Sequence, residues 1–403
     1  MESGDARMSR PRKGDLAGHW TLDQNTVFLN HGSFGATPTA VLDEQSRIRG
    51  LMENDPVRFF EREYLNLWDE ARRALSEFVN ADIDGMAFVS NATQGVNTVL
   101  RSLPLQPGDE IIVPDHSYQA CWNAVDFVTE RSGAKTVVVE IPFRVEGPQE
   151  VIDIIMGAVT DRTVLALIDT VTSPTGMRMP FEELTAQLQS RDVDVLLDAA
   201  HGPGIVPLDL SALAPAYCTG NCHKWLCSPK GSAFLHIRED RKHLVRPLNI
   251  SHGASSEGDA QEKFEFEFAW PGTQDPSAWM CIPKAIDYLG GLVDGGWPEI
   301  MRRNHALAIE GRNLLCEALG TSPPFPDSMV SALASVEIDT GKEVGPMSLE
   351  GDPFHNLLLD EHGIQIPVMP WRHHGIRYIR ISAQLYNHPD EYRYLAEVLG
   401  RNV

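Results

Sequence analysis

The stretch "GNCHKWLCSPKG" (220–231) places Lys224 between His223 and the pair Trp225 and Leu226. These are not the neighbours of a solvated ammonium. Burial disfavours the charged form of lysine, so a lysine in mostly apolar company gives up its proton readily. A neutral lysine amine can condense with a carbonyl as a Schiff base. Lys224 is therefore a candidate nucleophile, and the rest of the chain must say which carbonyl it meets.

Outward from this stretch, short apolar runs alternate with helical patterns. The runs at 110–114, 135–142, 163–169, 193–200 and 232–237 read as buried strands. Segments 119–133 and 181–192 read as helices between them. Such alternation predicts an α/β fold with a large, mostly parallel sheet covered on both faces. Ligands of such sheets gather beyond the carboxyl ends of the strands. At 263–276, "KFEFEFAWPGTQDP", Phe264, Phe266 and Phe268 alternate with charges, which predicts a half-exposed strand. A long helix follows over 301–320. The expected organisation is a polar lead-in over 1–28, a large domain over 29–285 and a smaller C-terminal α/β domain over 286–403.

Two further motifs follow strands. In "LLDAAHGPG" (196–204), Asp198 closes a strand and His201 lies three residues on. Asp198 reads either as a turn or cap residue, or as a carboxylate that keeps a proton on a ligand nitrogen. In "VSNATQGVN" (89–97), a strand runs through a small polar turn into a helix. That turn reads as an ordinary N-cap by Asn91 or Thr93, or as a phosphate cradle made of free N–H groups at the positive end of the helix dipole. An aldehyde for Lys224, a phosphate for the Thr93 turn and a ring nitrogen for Asp198 together describe pyridoxal 5′-phosphate.

With "LNHGSFG" (29–35), "DHSY" (115–118), "TSPTG" (172–176), "WPGTQD" (270–275) and "RISAQLYN" (380–387) added, the chain resembles the class V aminotransferase family of fold-type I pyridoxal phosphate enzymes, and within it the isopenicillin N epimerase-like branch. The resemblance implies that Lys224 holds the cofactor and moves the proton at Cα, that Asp198 pairs with the ring nitrogen, and that His201 lies near the ring oxygen. It implies a phosphate site of Ala92, Thr93, Asn221 and His223, with Ser173 also at the cofactor. Tyr118 or His116 would stack on the ring, Tyr118 being preferred. Thr273 would reach the phosphate of a neighbouring subunit in a homodimer. Arg380 would clamp the substrate α-carboxylate, since its planar fork meets a carboxylate bidentately; Asn30, His31 and Ser33 would line the substrate side. His373 and His374 read as solvated loop residues.

Composition bounds the function. The 403 residues carry 34 basic and 56 acidic side chains, a net charge of −22. That argues against a nucleic-acid surface. No apolar run of about 18 residues suggests a membrane span. Six cysteines in a chain of this length point to a reduced, cytoplasmic setting rather than a disulfide framework. Cys218, Cys222 and Cys227 lie around His223, but no second ligand group suggests itself, and no metal is expected.

The reaction is less legible. Epimerisation needs proton donors on both faces of Cα: Lys224 on one, and Tyr118, His31 or a water on the other. β-Elimination needs Lys224 and a leaving group. The segment 366–380 holds no cysteine, so a persulfide-forming desulfurase is not expected. The expected reaction is C–S β-lysis of an S-substituted cysteine or its sulfoxide, with epimerisation or transamination as the alternatives.

Overall fold

The structure, a computed structural model, describes residues 10–339, 352–371 and 376–403. Its strands in chain order are β1 (Val27–Phe28), β2 (Met86–Val89), β3 (Glu110–Pro114), β4 (Lys135–Val139), β5 (Thr163–Asp169), β6 (Asp194–Ala199), β7 (Tyr217–Asn221), β8 (Ala233–Ile237), β9 (Leu333–Ile338), β10 (Ile364–Gln365), β11 (Val368–Pro370) and β12 (Arg377–Ser382).

Among the described residues, the main sheet holds seven strands in the order β2-β8-β7-β6-β5-β3-β4. The pairs β3–β4, β3–β5, β5–β6 and β6–β7 are parallel. Strand β8 runs antiparallel to both its neighbours. The expected parallel sheet is thus present, with one reversed strand.

Burial on both faces explains why these strands read as unbroken apolar runs. Side chains alternate across a strand, and each face has its own core. Leu165, Leu167, Leu196, Ile111 and Val113 pack with Val96, Val99 and Val125 from the helices Ala92–Ser102 and Gln119–Ser132. Ala166, Ile168, Val195, Leu197 and Ile112 face the opposite way. There they share a core with Trp68, Leu75, Ile155 and Leu184 from the helices Tyr64–Phe78, Pro148–Gly157 and Phe181–Gln189.

A smaller antiparallel sheet, β11-β12-β9, carries Arg380. The helices Gly296–Leu319 and Pro389–Asn402 pack together beside it, and Tyr392 of the second donates to the Ser382 carbonyl at 2.7 Å. Residue 285, where the division was expected, lies inside the helix Ile282–Gly290. A turn over 291–295 follows that helix and leads into Gly296–Leu319. The segment 10–28 joins the C-terminal part: β1 pairs in parallel with β10, and the Gly14 N–H reaches the Tyr386 carbonyl at 2.9 Å. No helix among the described residues is long and apolar enough to cross a membrane.

The expected strand at 263–268 is instead the helix Ala260–Ala269. Asp259 and Glu262 form a capping box at its start, which satisfies two otherwise unpaired donors. Phe264 and Phe268 are i, i+4 neighbours and both are buried, whereas Phe266 is 39% exposed. A strand would bury all three alike. Phe268→Ala should therefore cost about 3–5 kcal/mol of stability and Phe266→Ala within about 0.5 kcal/mol; equilibrium denaturation of the two variants checks this.

Candidate active site

The site lies where the parallel strands end. After β2 the chain enters the helix that starts at Ala92, and after β3 it passes through Asp115, His116, Ser117 and Tyr118. Asp169 ends β5, Asp198 sits near the end of β6, and Asn221 ends β7 three residues before Lys224. Arg380 enters from β12.

Lys224 is 9% exposed, and its Nζ lies 3.1 Å from His201 Nε2. Burial and the nearby Arg380 charge push its ammonium down to about 8, partly offset by Asp198. Its backbone is held as firmly as its side chain. His31 Nε2 donates to the Lys224 carbonyl at 2.9 Å, so His31 Nδ1 accepts from the Tyr386 hydroxyl, also at 2.9 Å. Gly35 has φ +70, and a Cβ there would lie 2.1 Å from the His223 carbonyl oxygen. The motif "LNHGSFG" is thus a backbone brace pressed against the lysine turn, with Gly35 required by space and by conformation.

Asp198 is buried; its Oδ1 accepts the Ala200 N–H at 2.9 Å and its Oδ2 the Cys121 thiol at 3.3 Å. Burial pushes its carboxyl above the usual range. Asp169 is the Cα partner of Asp198 across the sheet. Burial and the Asp198 charge push Asp169 well up, and Ser117 donates to it at 2.6 Å. Burial thus disfavours charge on both carboxyls, most strongly on Asp169.

At the start of the helix Ala92–Ser102, Asn91 caps the Gln94 N–H at 2.9 Å and Asn221 Oδ1 accepts the Ala92 N–H at 2.9 Å. Ala92, Thr93 and Asn221 are therefore brought together. His223 is adjacent in the chain to Lys224, and its Nδ1 donates to the Ser232 carbonyl at 3.0 Å. Arg380 Nη1 donates to the Ser173 carbonyl and Nη2 to Ser33 Oγ at 3.3 Å, while Ser33 donates to Asn30 at 2.6 Å. Arg380 Nε is buried with no hydrogen-bond partner among the described residues, and burial pulls the guanidinium down to about 10. Such a buried, under-satisfied cation suits an incoming carboxylate.

His116 is fully buried, its Nδ1 2.8 Å from Thr175 Oγ1 and its Nε2 3.0 Å from the Ile141 carbonyl. Tyr118 is 46% exposed. Thr273 is exposed in the loop after the helix Ala260–Ala269. His373 and His374 lie outside the described residues. All six cysteines are free and buried. The sequence reading missed Asp169 and Cys121. Asp169 carries the same signal as Asp198, an acid closing an apolar strand; nothing in the sequence marks Cys121.

The donor set fits pyridoxal 5′-phosphate: a desolvated amine, a buried carboxylate that feels the Lys224 charge, and a helix N-terminus tied to Asn221. The neutral fraction of Lys224 should grow through a midpoint of about 8. Uptake of pyridoxal 5′-phosphate by the apoprotein should therefore quicken with pH and level off above that midpoint, where an ordinary lysine would keep gaining to about 10.4. Stopped-flow absorbance across pH measures it.

Comparison with known proteins agrees with this geometry. The aminotransferase class-V family model matches residues 37–324. The chain is 31% identical over 396 residues to isopenicillin N epimerase of Amycolatopsis lactamdurans, covering 94% of this chain and 96% of that relative. It is 29% identical over 402 residues to a probable chloroplastic L-cysteine desulfhydrase of Arabidopsis thaliana, covering 94% and 83%. Two solved structures of the cystine C–S lyase C-DES share the fold at 20% identity. The complex with its product cysteine persulfide has a TM-score of 0.77 and covers 94% of this chain and 98% of that one. The variant with glycine covalently linked to the PLP cofactor has a TM-score of 0.76 and covers 94% and 97%. With its lysine, carboxylate and helix N-terminus at the strand ends, the chain belongs to the class V aminotransferase family and is a pyridoxal 5′-phosphate-dependent enzyme of fold type I.

Proposed function

We propose that this enzyme is a C–S β-lyase acting on an S-substituted cysteine or its sulfoxide. Pyridoxal 5′-phosphate, when bound, supplies an electron sink for charge left at Cα. Lys224 would hold it and would take the proton from Cα. Asp198 would keep the ring nitrogen protonated. Ala92, Thr93, Asn221 and His223 would hold the phosphate. Arg380 holds the substrate α-carboxylate, with Ser33 and Asn30 fixing the guanidinium. Tyr118 would cover the ring; its exposure supports this over the fully buried His116. The exposed Thr273 fits a homodimer in which it reaches the neighbouring site.

The observation that carries the lyase reading concerns His31. Epimerisation needs a second proton donor, and His31 was one candidate. Both its nitrogens are hydrogen-bonded, it is fully buried, and burial pulls its imidazolium down to about 3. It is a brace, not an acid. β-Elimination asks only for Lys224: the Cα proton leaves, the Cβ–S bond breaks, and sulfur departs with the electron pair and takes up a proton. With one water the products are pyruvate, ammonium and a thiol, or a sulfenic acid where the substrate is a sulfoxide. The L-cysteine desulfhydrase relative supports this reading. The epimerase relative supports the alternative, for which Tyr118 would supply the second proton.

Pyruvate should form from S-alkyl cysteines, their sulfoxides, cysteine or cystine, measured by coupled lactate dehydrogenase. No pyruvate, with deuterium entering Cα and inverted configuration, would overturn the lyase in favour of epimerisation. Arg380→Lys loses the bidentate grip at a cost of about 2 kcal/mol, roughly 30-fold in kcat/KM, and steady-state kinetics with the best substrate checks it.

A further inference from the structure

We infer that Trp225 is a positioning residue whose indole N–H locks His201 in the tautomer that points its Nε2 proton at Lys224. The inference rests on the proposed role of Lys224. Trp225 Nε1 lies 3.1 Å from His201 Nδ1. An indole N–H can only donate, so Nδ1 must accept. A neutral imidazole carries one N–H, which is then on Nε2, 3.1 Å from Lys224 Nζ. The ring is neutral because burial, then the Lys224 and Arg380 charges, hold its pKa well below the ordinary value, with His31 and His223 adding in the same sense. Lys224 can accept that proton only as the free amine.

The direction of the lock is unusual. Histidines at reactive sites are commonly oriented by a carbonyl or carboxylate, which draws the proton to the nitrogen it faces. A tryptophan does the opposite, and it does not titrate. Trp225 is also fixed in place. It is 1% exposed, and a Cβ on Gly204, which has φ +86, would lie 2.9 Å from the Trp225 carbonyl carbon and oxygen. The turn that carries His201 and the turn that carries Trp225 thus meet backbone to backbone.

Without the indole donor, His201 is free to move its proton to Nδ1. Its Nε2 then accepts from the Lys224 ammonium and stabilises the unreactive form. The other ionisable groups that act on Lys224 are Arg380, Asp198, Cys121 and Asp169, and Trp225→Phe leaves all of them in place.

Two measurements test this. In histidine-¹⁵N-labelled apoprotein, with His201 assigned by its loss in His201→Gln, NMR should show the Nε2–H tautomer. The Nδ1–H tautomer in the unmutated protein would overturn the inference without any variant having to fold. In Trp225→Phe, the midpoint for uptake of pyridoxal 5′-phosphate should rise from about 8, and uptake near neutral pH should fall several-fold. In the His201→Gln background, Trp225→Phe should change nothing further. An equal fall in that background would mean that Trp225 acts by packing alone, and would overturn the inference. If borohydride tags no residue, or one other than Lys224, the proposed role of the lysine fails, while the NMR still reads the tautomer.

Discussion

Two cationic side chains buried close together cannot both keep their charge cheaply, and in this site one of them is an arginine. A guanidinium holds its proton under nearly all conditions. The cost of desolvation beside Arg380 therefore falls on Lys224, whose ammonium is pushed down to about 8. The group suited to bind a carboxylate and the group suited to attack an aldehyde are coupled by this proximity. The nearby carboxyls limit the effect, because Asp198 and, more weakly, Asp169 favour the lysine's charge.

That coupling needs a backbone that cannot relax. His31 bonds the Lys224 carbonyl, Tyr386 bonds His31, and the Gly32 N–H reaches Ser382 Oγ at 3.0 Å at the end of β12. The segment around residue 31 therefore ties the lysine turn of the large sheet to the strand that carries Arg380. Residues far apart in the chain set the distance between the two cations. An arrangement of this kind tolerates little change in the segment, because a Cβ at Gly35 would collide with the His223 carbonyl oxygen.

The parts legible in the sequence are those where one physical demand dominates. Strands covered on both faces must be apolar throughout, and β3, β5, β6 and β8 read accordingly. Acids and small residues just beyond them mark the ligand end of the sheet. The segment 263–268 was misread because phenylalanines at i, i+2 and i+4 satisfy a strand pattern and, through the outer two, a helix pattern as well; the capping box at Asp259 decided it locally. What the sequence did not show depends on contacts between distant segments. His31 looked like a substrate ligand until Tyr386, 355 residues away, was seen to occupy its second nitrogen. Cys121 and Trp225 gain their partners only when the sheet is assembled.

The six thiols have a bearing beyond packing. Each is buried, and burial raises the pKa of every one. Thiolate is the form that attacks sulfur electrophiles, so this interior offers none to solvent. The lyase proposed above would work next to agents able to form mixed disulfides. Buried thiols of raised pKa would protect such a catalyst from its own effluent.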